Sequence, residues 1–506
     1  MRPLSLLTLV LGTLAIAGCG GDSGGGSSSP LDNALRYLPA DTPFAVAIDT
    51  DTDGDQFDAA GDLTDKFPFG DDVRDQLQDL IEERAGELEQ LQAALGNEFV
   101  VGSTDASSFV DSPSGEDEAF VGAIEAKDED ALSKLVEGDK AQEDGEVDGA
   151  KLYKDDSGDS FAIDGNVLVV AGSKQELERA LATRGGDESL TGDDFEAGTE
   201  GVSDGALIRV YLNVAELLRA SPDAEDALKS KWVAALRTAG ISLTFESGQV
   251  AVDVDVDTDS EGLTDADLPI AAGAAAPRVL DREGQINLAL RDPAQVLEFA
   301  QATAKAVSSD FGSFEDGKTE IERRLKVDLD EDLIAQLDGD LAVSIGLDGE
   351  FGARAQLKDP AAFQRTLTKL EKVLPSVAEG IAGEKVGFAK PKAGEDFYAV
   401  ATAGGDQVVF GVVKDVFVLS NSAAIAGTLA TDPTKVVPGA EGSLVLSADA
   451  EQIAKTALEQ AEGRDLGLGD RIKGEIGTQP LDELLGSFEA SPDGLSGSFT
   501  VTTDER

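Results

Sequence analysis

Short runs of alternating apolar and polar residues recur along this chain and predict β-strands. Phe44 to Ile48 alternates like a half-buried strand, and a run of the same phase begins 242 positions later, from Ile286 to Leu290. Two further pairs of apolar runs follow in the same order, residues 120–123 with 351–354 and residues 167–170 with 416–419. An ordered series of this kind predicts two copies of one structural unit.

Close pairs of predicted strands indicate that the sheets are antiparallel. Leu243 to Val256 crosses Ser247-Gly248, and Phe488 to Val501 crosses a Pro-Asp-Gly turn at 492–494. Links this short form hairpins and cannot form parallel crossovers. The predicted fold class is therefore α+β, with two tandem similar domains, each an antiparallel sheet with helices packed on one face.

Several helices are predicted to begin at a polar cap that follows a strand. Ser173, Asn213 and Asp359 stand at such starts, and Pro360 follows the last of them. We interpret the carboxylates at these positions as structural. Apolar stripes also predict a helix over 73–95 and another over 227–239, which carries Trp232 as a core anchor and ends at Gly240.

The N-terminus has the pattern of an exported leader. Arg2 precedes an apolar run from Leu4 to Ala17, which is too short to span a bilayer as a mature helix. The run ends in Ile16-Ala17-Gly18-Cys19, which resembles the bacterial lipobox. The resemblance implies cleavage between Gly18 and Cys19 and lipidation of Cys19. Residues 20–29 are almost all Gly and Ser, which predicts a flexible tether.

These signals predict the division of the chain. The predicted parts are a lipoprotein signal peptide at 1–18, a Gly/Ser tether at 19–31, a first repeat domain at 32–262, a connection at 263–278 and a second repeat domain at 279–506.

Composition excludes several classes of function. The chain has 99 acidic and 41 basic residues and a formal net charge of −58, so its surface repels nucleic acid. It has no histidine, the usual general base, and one cysteine, which cannot form an intramolecular disulfide. We find no Walker or Rossmann glycine loop and predict no cofactor.

Two acidic series stand out in the sequence, and the first of them is a candidate for cation binding. Asp49, Asp51, Asp53 and Asp55 imitate the start of a calcium-binding EF-hand loop, but position twelve is Ala60 where a bidentate Glu is needed. An acidic loop after the first strand is the simpler interpretation, and a weak calcium site is the alternative. The second series, Asp253 to Asp259, alternates with valines, which predicts carboxylates on one solvated sheet face.

The opening Tyr37-Leu38-Pro39-Ala40-Asp41-Thr42-Pro43 and the turn Lys358 to Phe363 resemble a family of secreted bacterial proteins of unknown function. The second copy lacks the Leu-Pro-Ala-Asp-Thr opening. The resemblance implies architecture and location and brings no catalytic or ligand residues.

We expect a non-enzymatic lipoprotein, anchored by lipid to the outer side of the cell membrane, that presents a surface or groove to a protein, a polymer or a small apolar molecule. A crevice between the two copies is the expected place for a ligand. The alternative is an extracellular hydrolase of envelope polymers that works through two facing carboxylates.

Overall fold

A computed structural model describes residues 29–67, 97–107, 120–132, 142–154 and 160–504, the last range without 185, 187, 223, 283, 308–310, 392–395, 406, 432–433 and 456–479. The strands are β1 Phe44–Ile48, β2 Phe99–Ser103, β3 Phe120–Glu125, β4 Gln142–Val147, β5 Ala150–Lys154, β6 Ser160–Asp164, β7 Val167–Ala171, β8 Ile208–Leu212, β9 Leu236–Glu246, β10 Gln249–Thr258, β11 Val279–Leu280, β12 Gln285–Arg291, β13 Leu337–Gly346, β14 Phe351–Leu357, β15 Val386–Ala389, β16 Tyr398–Thr402, β17 Gln407–Val413, β18 Val416–Ser420, β19 Thr434–Lys435, β20 Leu444–Asp449, β21 Leu481–Ser491 and β22 Gly494–Thr503.

Helices connect these strands. They are α1 Pro30–Leu35, α2 Asp55–Asp65, α3 Lys174–Thr183, α4 Gly192–Ala197, α5 Val214–Ala220, α6 Ala224–Ala227, α7 Lys231–Ala235, α8 Pro293–Val307, α9 Phe311–Leu325, α10 Leu329–Asp332, α11 Pro360–Leu370, α12 Leu374–Ala382 and α13 Ala423–Leu429, with 3₁₀ turns at Asp265–Asp267 and Ile334–Gln336.

Twenty of the strands form one antiparallel sheet, and β11 pairs with β19 in a second, two-stranded sheet. Following the paired neighbours, the order is β4-β5-β6-β7-β3-β2-β1-β8-β9-β10-β22-β21-β20-β12-β13-β14-β18-β17-β16-β15. The prediction of an α+β fold built on antiparallel strands is confirmed.

The two halves of the sheet have equivalent strand orders when each is followed from its outer edge towards the middle. The last hairpin of the first half, β9–β10, meets the last hairpin of the second half, β21–β22, and β10 pairs with β22 from Gln249 opposite Thr502 to Asp257 opposite Gly494. This ladder is the only strand pairing between the first ten and the last ten strands of the described sheet, and it places the two longest hairpins at its centre.

Helices cover both faces of the sheet, so the predicted packing on one face is wrong. Val416 and Val418 of β18 share a core with Ala426 and Leu429 of α13. Phe417 of the same strand points the other way, and its ring lies 5.3 Å from that of Phe363 in α11. Because successive residues of a strand face opposite sides, one strand supports two helical layers.

The predicted connection at 263–278 packs into a core beneath the central hairpins. Leu268 is completely buried and shares a cluster with Trp232, Ile270 and Leu290. The amide of Gln295 in α8 donates a hydrogen bond of 2.5 Å to the Asp265 carbonyl in the same connection. This segment therefore ties α8 of the second half to Trp232 of the first half.

Local sequence signals were accurate at turns and caps. Both predicted hairpins form, and the side chains of Ser173, Asn213 and Asp359 accept hydrogen bonds from the first turns of their helices. The predicted continuous helix over 227–239 is wrong, because α6 ends at Ala227 and only Lys231–Ala235 of the remaining stretch is helical. Beyond Ala235 the chain enters β9 at Leu236, and this strand pairs with β8 and β10. Gly240 lies inside that strand, where an added Cβ would come within 3.0 Å of the Gly198 carbonyl oxygen.

We predict that Leu268→Ala lowers the free energy of unfolding by about 2–5 kcal/mol, because it opens a cavity in the core beneath the joined hairpins. Leu228→Ala is the matched control, since Leu228 is 40% exposed, and we expect a change under about 0.5 kcal/mol. Urea denaturation followed by circular dichroism measures both. Equal effects of the two substitutions would contradict the packing described for Leu268.

Candidate functional site

The predicted lipidation residues lie outside the described residues. Cys19, Gly18 and the tether up to residue 28 are in this group, as is the whole of the predicted helix over 73–95. Cleavage and lipidation therefore stay predictions.

The first acidic series forms a loop in which two of the carboxylates, those of Asp49 and Asp51, have partners within the described residues, while Asp53 Oδ1 is buried without one there. The Asp49 carboxylate accepts a 2.8 Å hydrogen bond from the Asp51 backbone N–H, and Lys127 lies 3.4 Å from the Asp51 carboxylate. Asp55 is the first residue of α2. Burial raises the pKa of the Asp49 carboxyl. Among the described residues, no three carboxylates of this series have oxygen atoms within 4.8 Å of one another. Calcium binding here stays a prediction.

Asp253, Asp255 and Asp257 of the second acidic series alternate along β10 on one sheet face that is less solvated than predicted, whereas Asp259 lies beyond the end of the strand. Asp253 and Asp255 alternate with Val252, Val254 and Val256, all of which are partly exposed. Asp255 packs under the loop at Gly201, where an added Cβ would come within 2.1 Å of the Asp255 side chain. Burial, and then the negative charges of Asp257 and Glu200, raise the pKa of Asp255.

The opening motif that resembles the family has a structural role in this chain. Tyr37 is completely buried, and its hydroxyl donates a 2.7 Å hydrogen bond to Asp164, which also pairs with Arg184 at 2.8 Å. Burial, and then this hydrogen bond, raise the pKa of the Tyr37 phenol well above its ordinary value. Pro39 forms a β-bridge with Ser189. The motif thus anchors the start of the domain to the loop that precedes α4.

A polar pocket of about 310 Å³ lies beside this motif. Three carboxylates line it, those of Asp41, Asp105 and Glu216. Asp105 accepts hydrogen bonds from the backbone N–H and hydroxyl of Ser107 at 2.9 and 2.7 Å, and Glu216 pairs with Arg219. Two of the three carboxylates therefore already have a hydrogen-bond or ion-pair partner within the chain.

A larger and mainly apolar cavity of about 400 Å³ opens between α8, α9 and α10. Its lining residues are Gln301, Gly317, Lys318, Ile321, Leu329, Asp330, Leu333 and Ile334. Four of these are Leu or Ile, so the cavity offers mostly hydrocarbon to a bound molecule. It lies within the second half of the chain and not between the two halves, where the crevice was expected.

An ion pair between a buried lysine and a half-exposed carboxylate forms the polar part of this cavity. The Lys318 ammonium pairs with the Asp330 carboxylate, and the Lys318 side chain is only 12% exposed. Burial lowers the pKa of Lys318, but the hydrogen bond to Asp330 and the negative charges of Asp330, Glu315 and Glu322 together outweigh it, and the pKa lies above its ordinary value. Lys318 is therefore positively charged at neutral pH.

Two more carboxylates lie beside Asp330. Oxygen atoms of Glu322, Asp328 and Asp330 all lie within 4.8 Å of one another, the only such acidic group within the described ranges. Glu322 accepts a 3.0 Å hydrogen bond from the Leu329 N–H, and Asp328 caps α10 by accepting one from Glu331. The group holds the α9–α10 turn together at the edge of the cavity.

Residues 4–378 match the model of a family described as a protein of unknown function (DUF3352). The chain belongs to this family. The predicted membership of a family without an assigned function is confirmed, whereas the leader peptide and the opening motif as a family signature stay predictions. No curated protein matches the chain.

Solved structures of a protein called TP0453 share part of the fold only weakly with this DUF3352 member. Crystal form IV is 10% identical, with a TM-score of 0.26 over 46% of this chain and 81% of that one. Crystal form I is 11% identical, with a TM-score of 0.25 over 47% of this chain and 82% of that one. Likeness at this level supports no functional conclusion.

Among the helices in the described part of the chain, none has both the length and the apolar character needed to cross a bilayer.

We predict that Asp255→Asn raises stability at pH 7, by less than about 1 kcal/mol, because the half-buried carboxylate is costly to ionise. The folded-state pKa of Asp255 is raised, so the folded protein loses stability as the pH rises from the ordinary Asp pKa through the folded value. The gain should vanish near pH 3, where the carboxyl is protonated in both states. The difference between the urea midpoints of the variant and the wild type, taken at each pH, measures this gain in stability.

Asp259→Asn is the matched control with the opposite sign. A hydrogen bond from the Glu261 backbone N–H, and then Arg237, lower the pKa of Asp259, which is exposed. Its contribution is present above the ordinary Asp pKa and is lost as the pH falls through the folded value, so this variant should be less stable at pH 7. If both substitutions changed the stability at pH 7 in the same direction, the opposite pKa shifts described for Asp255 and Asp259 would be refuted.

Proposed function

We propose that this chain is a lipid-anchored, non-enzymatic protein of the cell envelope that binds a small, largely apolar ligand in the cavity between α8, α9 and α10. The cavity is the observation that carries the proposal, since about 400 Å³ lined mainly by Leu and Ile is costly to leave filled with water. The rigid position of α8 supports it, because α8 packs on the central core through Val296 and Phe299.

We further infer that the chain is a tandem repeat of one α+β unit, with the boundaries predicted above. The equal pairing order of the first ten and last ten strands supports this inference. So does the equivalence of α3 and α13, which follow the corresponding strands β7 and β18. The ligand cavity would then be a specialisation of the second unit.

The proposed location of the protein rests on its predicted leader peptide. A chain cut after Gly18 and acylated on Cys19 would be held at the outer side of the membrane by a tether of ten residues, 20–29, before α1 begins at Pro30. The net charge of −58 opposes close contact with anionic head groups, so the folded part would remain away from the lipid surface.

The alternative of a carboxylate hydrolase stays a prediction. Its place in the described part of the chain would be the polar pocket at Asp41, Asp105 and Glu216. Since Ser107 and Arg219 already engage two of these carboxylates, we favour the binding function.

We predict that the full chain, purified from membranes of the native host, has the mass of a protein that begins at Cys19 and carries acyl chains. Intact-mass spectrometry measures it. In Cys19→Ala the acyl mass should be absent and the protein should leave the membrane fraction. A wild-type chain of unmodified mass that is freely released would contradict the anchor.

We predict that the wild-type protein binds the neutral apolar dye N-phenyl-1-naphthylamine and that Gly317→Leu weakens this binding by about tenfold or more. Gly317 lines the cavity and has open space where a Cβ would be added, so the new side chain should fill the cavity without a clash. Apolar dye surface that is no longer buried costs about 25 cal/mol per Å², so a loss of roughly 55 Å² costs about 1.4 kcal/mol, which is tenfold in affinity.

Gly380→Leu is the control, because Gly380 also lies in a helix, α12, with open space at its Cβ position, but does not line the cavity. It should bind the dye as the wild type does. Dye fluorescence titrations on folded proteins, checked by circular dichroism, measure all three. Equal affinities would refute the cavity as the binding site.

A further inference from the structure

Besides the ion pair, one uncharged polar side chain lines the cavity, that of Gln301 in α8. This side chain is half-buried, and its amide has no hydrogen-bond partner among the residues that the structure describes. Its nitrogen and its oxygen are not among the polar atoms that are completely buried without a partner. Both atoms therefore keep accessible surface that a bound molecule can meet.

The charges of the lining balance each other. Lys318 and Asp330 are the two charged residues that line the cavity, and they pair with one another. Glu322 and Asp328 do not line it, and each already accepts a hydrogen bond from a backbone N–H. A charged head group that entered the cavity would lose its water without meeting an unpaired opposite charge, which is costly. An uncharged polar head group avoids that cost.

The amide of Gln301 also defines what an uncharged head group must offer. A carboxamide presents N–H donors and a C=O acceptor side by side. A head group that carries both a donor and an acceptor can form two hydrogen bonds with it. Such bonds are stronger beside hydrocarbon than in open water, because the local dielectric constant is lower.

We infer that the ligand of this cavity is an uncharged amphiphile whose head group both donates and accepts a hydrogen bond, and that Gln301 binds this head group. The hydrocarbon body would contact the Leu and Ile side chains of the lining. The inference rests on the proposed binding function, and it adds the class of ligand and the residue that selects it.

The test compares three ligands that share an eight-carbon chain and differ in the charge of the head: octanamide, octanoate and octylamine. At pH 7 the first is neutral, the second anionic and the third cationic. Each competes with N-phenyl-1-naphthylamine for the full chain in physiological salt, which screens the charges outside the lining. We expect octanamide to bind about tenfold or more tighter than either charged ligand.

Two substitutions of Gln301 separate a role in binding from a role in the fold. Gln301→Leu should weaken octanamide binding by about tenfold, because both hydrogen bonds are lost. Gln301→Glu keeps the shape of the side chain and adds a negative charge, so octylamine should now bind tighter than octanamide. A residue that only supported the fold would not reverse the order of the two ligands.

Gln407→Glu is the matched control, because it makes the same change of charge at an exposed residue of β17 that does not line the cavity. It should bind all three ligands with the affinities and in the order of the wild type. Circular dichroism of each variant checks that it is folded.

The outcomes separate this inference from the proposed function. If octanoate or octylamine binds the wild type as tightly as octanamide does, or if Gln301→Glu leaves the order unchanged, the assigned head group is wrong. The inference is also wrong if none of the three ligands displaces the dye. If, in addition, the dye binds the wild type and Gly317→Leu equally, the proposed binding function is wrong as well.

Discussion

The hydrogen-bonded ladder between β10 and β22 is the interaction on which the rest of this structure depends. Without it, each half would end in an edge strand of ten residues with a row of unpaired N–H and C=O groups. With it, the backbone N–H and C=O groups of each edge strand pair with those of the other, and the two central hairpins become the interior of one sheet. The central core that contains Trp232 and Leu268 forms beneath this junction and draws in α8.

The junction also explains why the acidic series on β10 behaves differently from its prediction. In an isolated sheet, one face of alternating carboxylates would be open to water. In the joined sheet, Asp253, Asp255 and Asp257 lie opposite Ser498, Ser496 and Gly494, and the loop at Gly201 covers Asp255. The small partners leave room for the carboxylates, while the packing removes water from one of them.

Local sequence predicts much of this fold because hairpins and caps are local interactions. The two-residue links and the capping side chains of Ser173, Asn213 and Asp359 need only their near neighbours. The pairing of β10 with β22 joins residues about 245 positions apart, and no local pattern encodes it. Leu236 shows the same limit, since a segment with helical spacing becomes a strand when β8 and β10 offer partners on both sides. Helices on both faces follow from strands such as β18, which is apolar on its two sides.

The candidate site was missed by sequence reasoning for a related reason. The cavity takes residues from three helices, and their meeting is a property of tertiary packing. One local signal was present: Lys318 stands three and seven positions before Ile321 and Leu325 in α9, at a helical spacing where an apolar residue is expected. A charged residue at such a position is either paired or functional. In the acidic loop after β1, the Asp49 carboxylate accepts a hydrogen bond from the Asp51 N–H and therefore helps to hold the loop.

Hydrogen–deuterium exchange of the β10–β22 ladder tests the central claim most directly. Peptides that cover 249–257 and 494–502 should exchange slowly, with protection close to that of global unfolding, because both strands lie inside the sheet. A peptide over 142–147 is the internal comparison, since β4 is exposed along almost its whole length and pairs in the described structure only with β5. Exchange of the β10 and β22 amides as fast as that of β4 would show that the two halves are not one sheet.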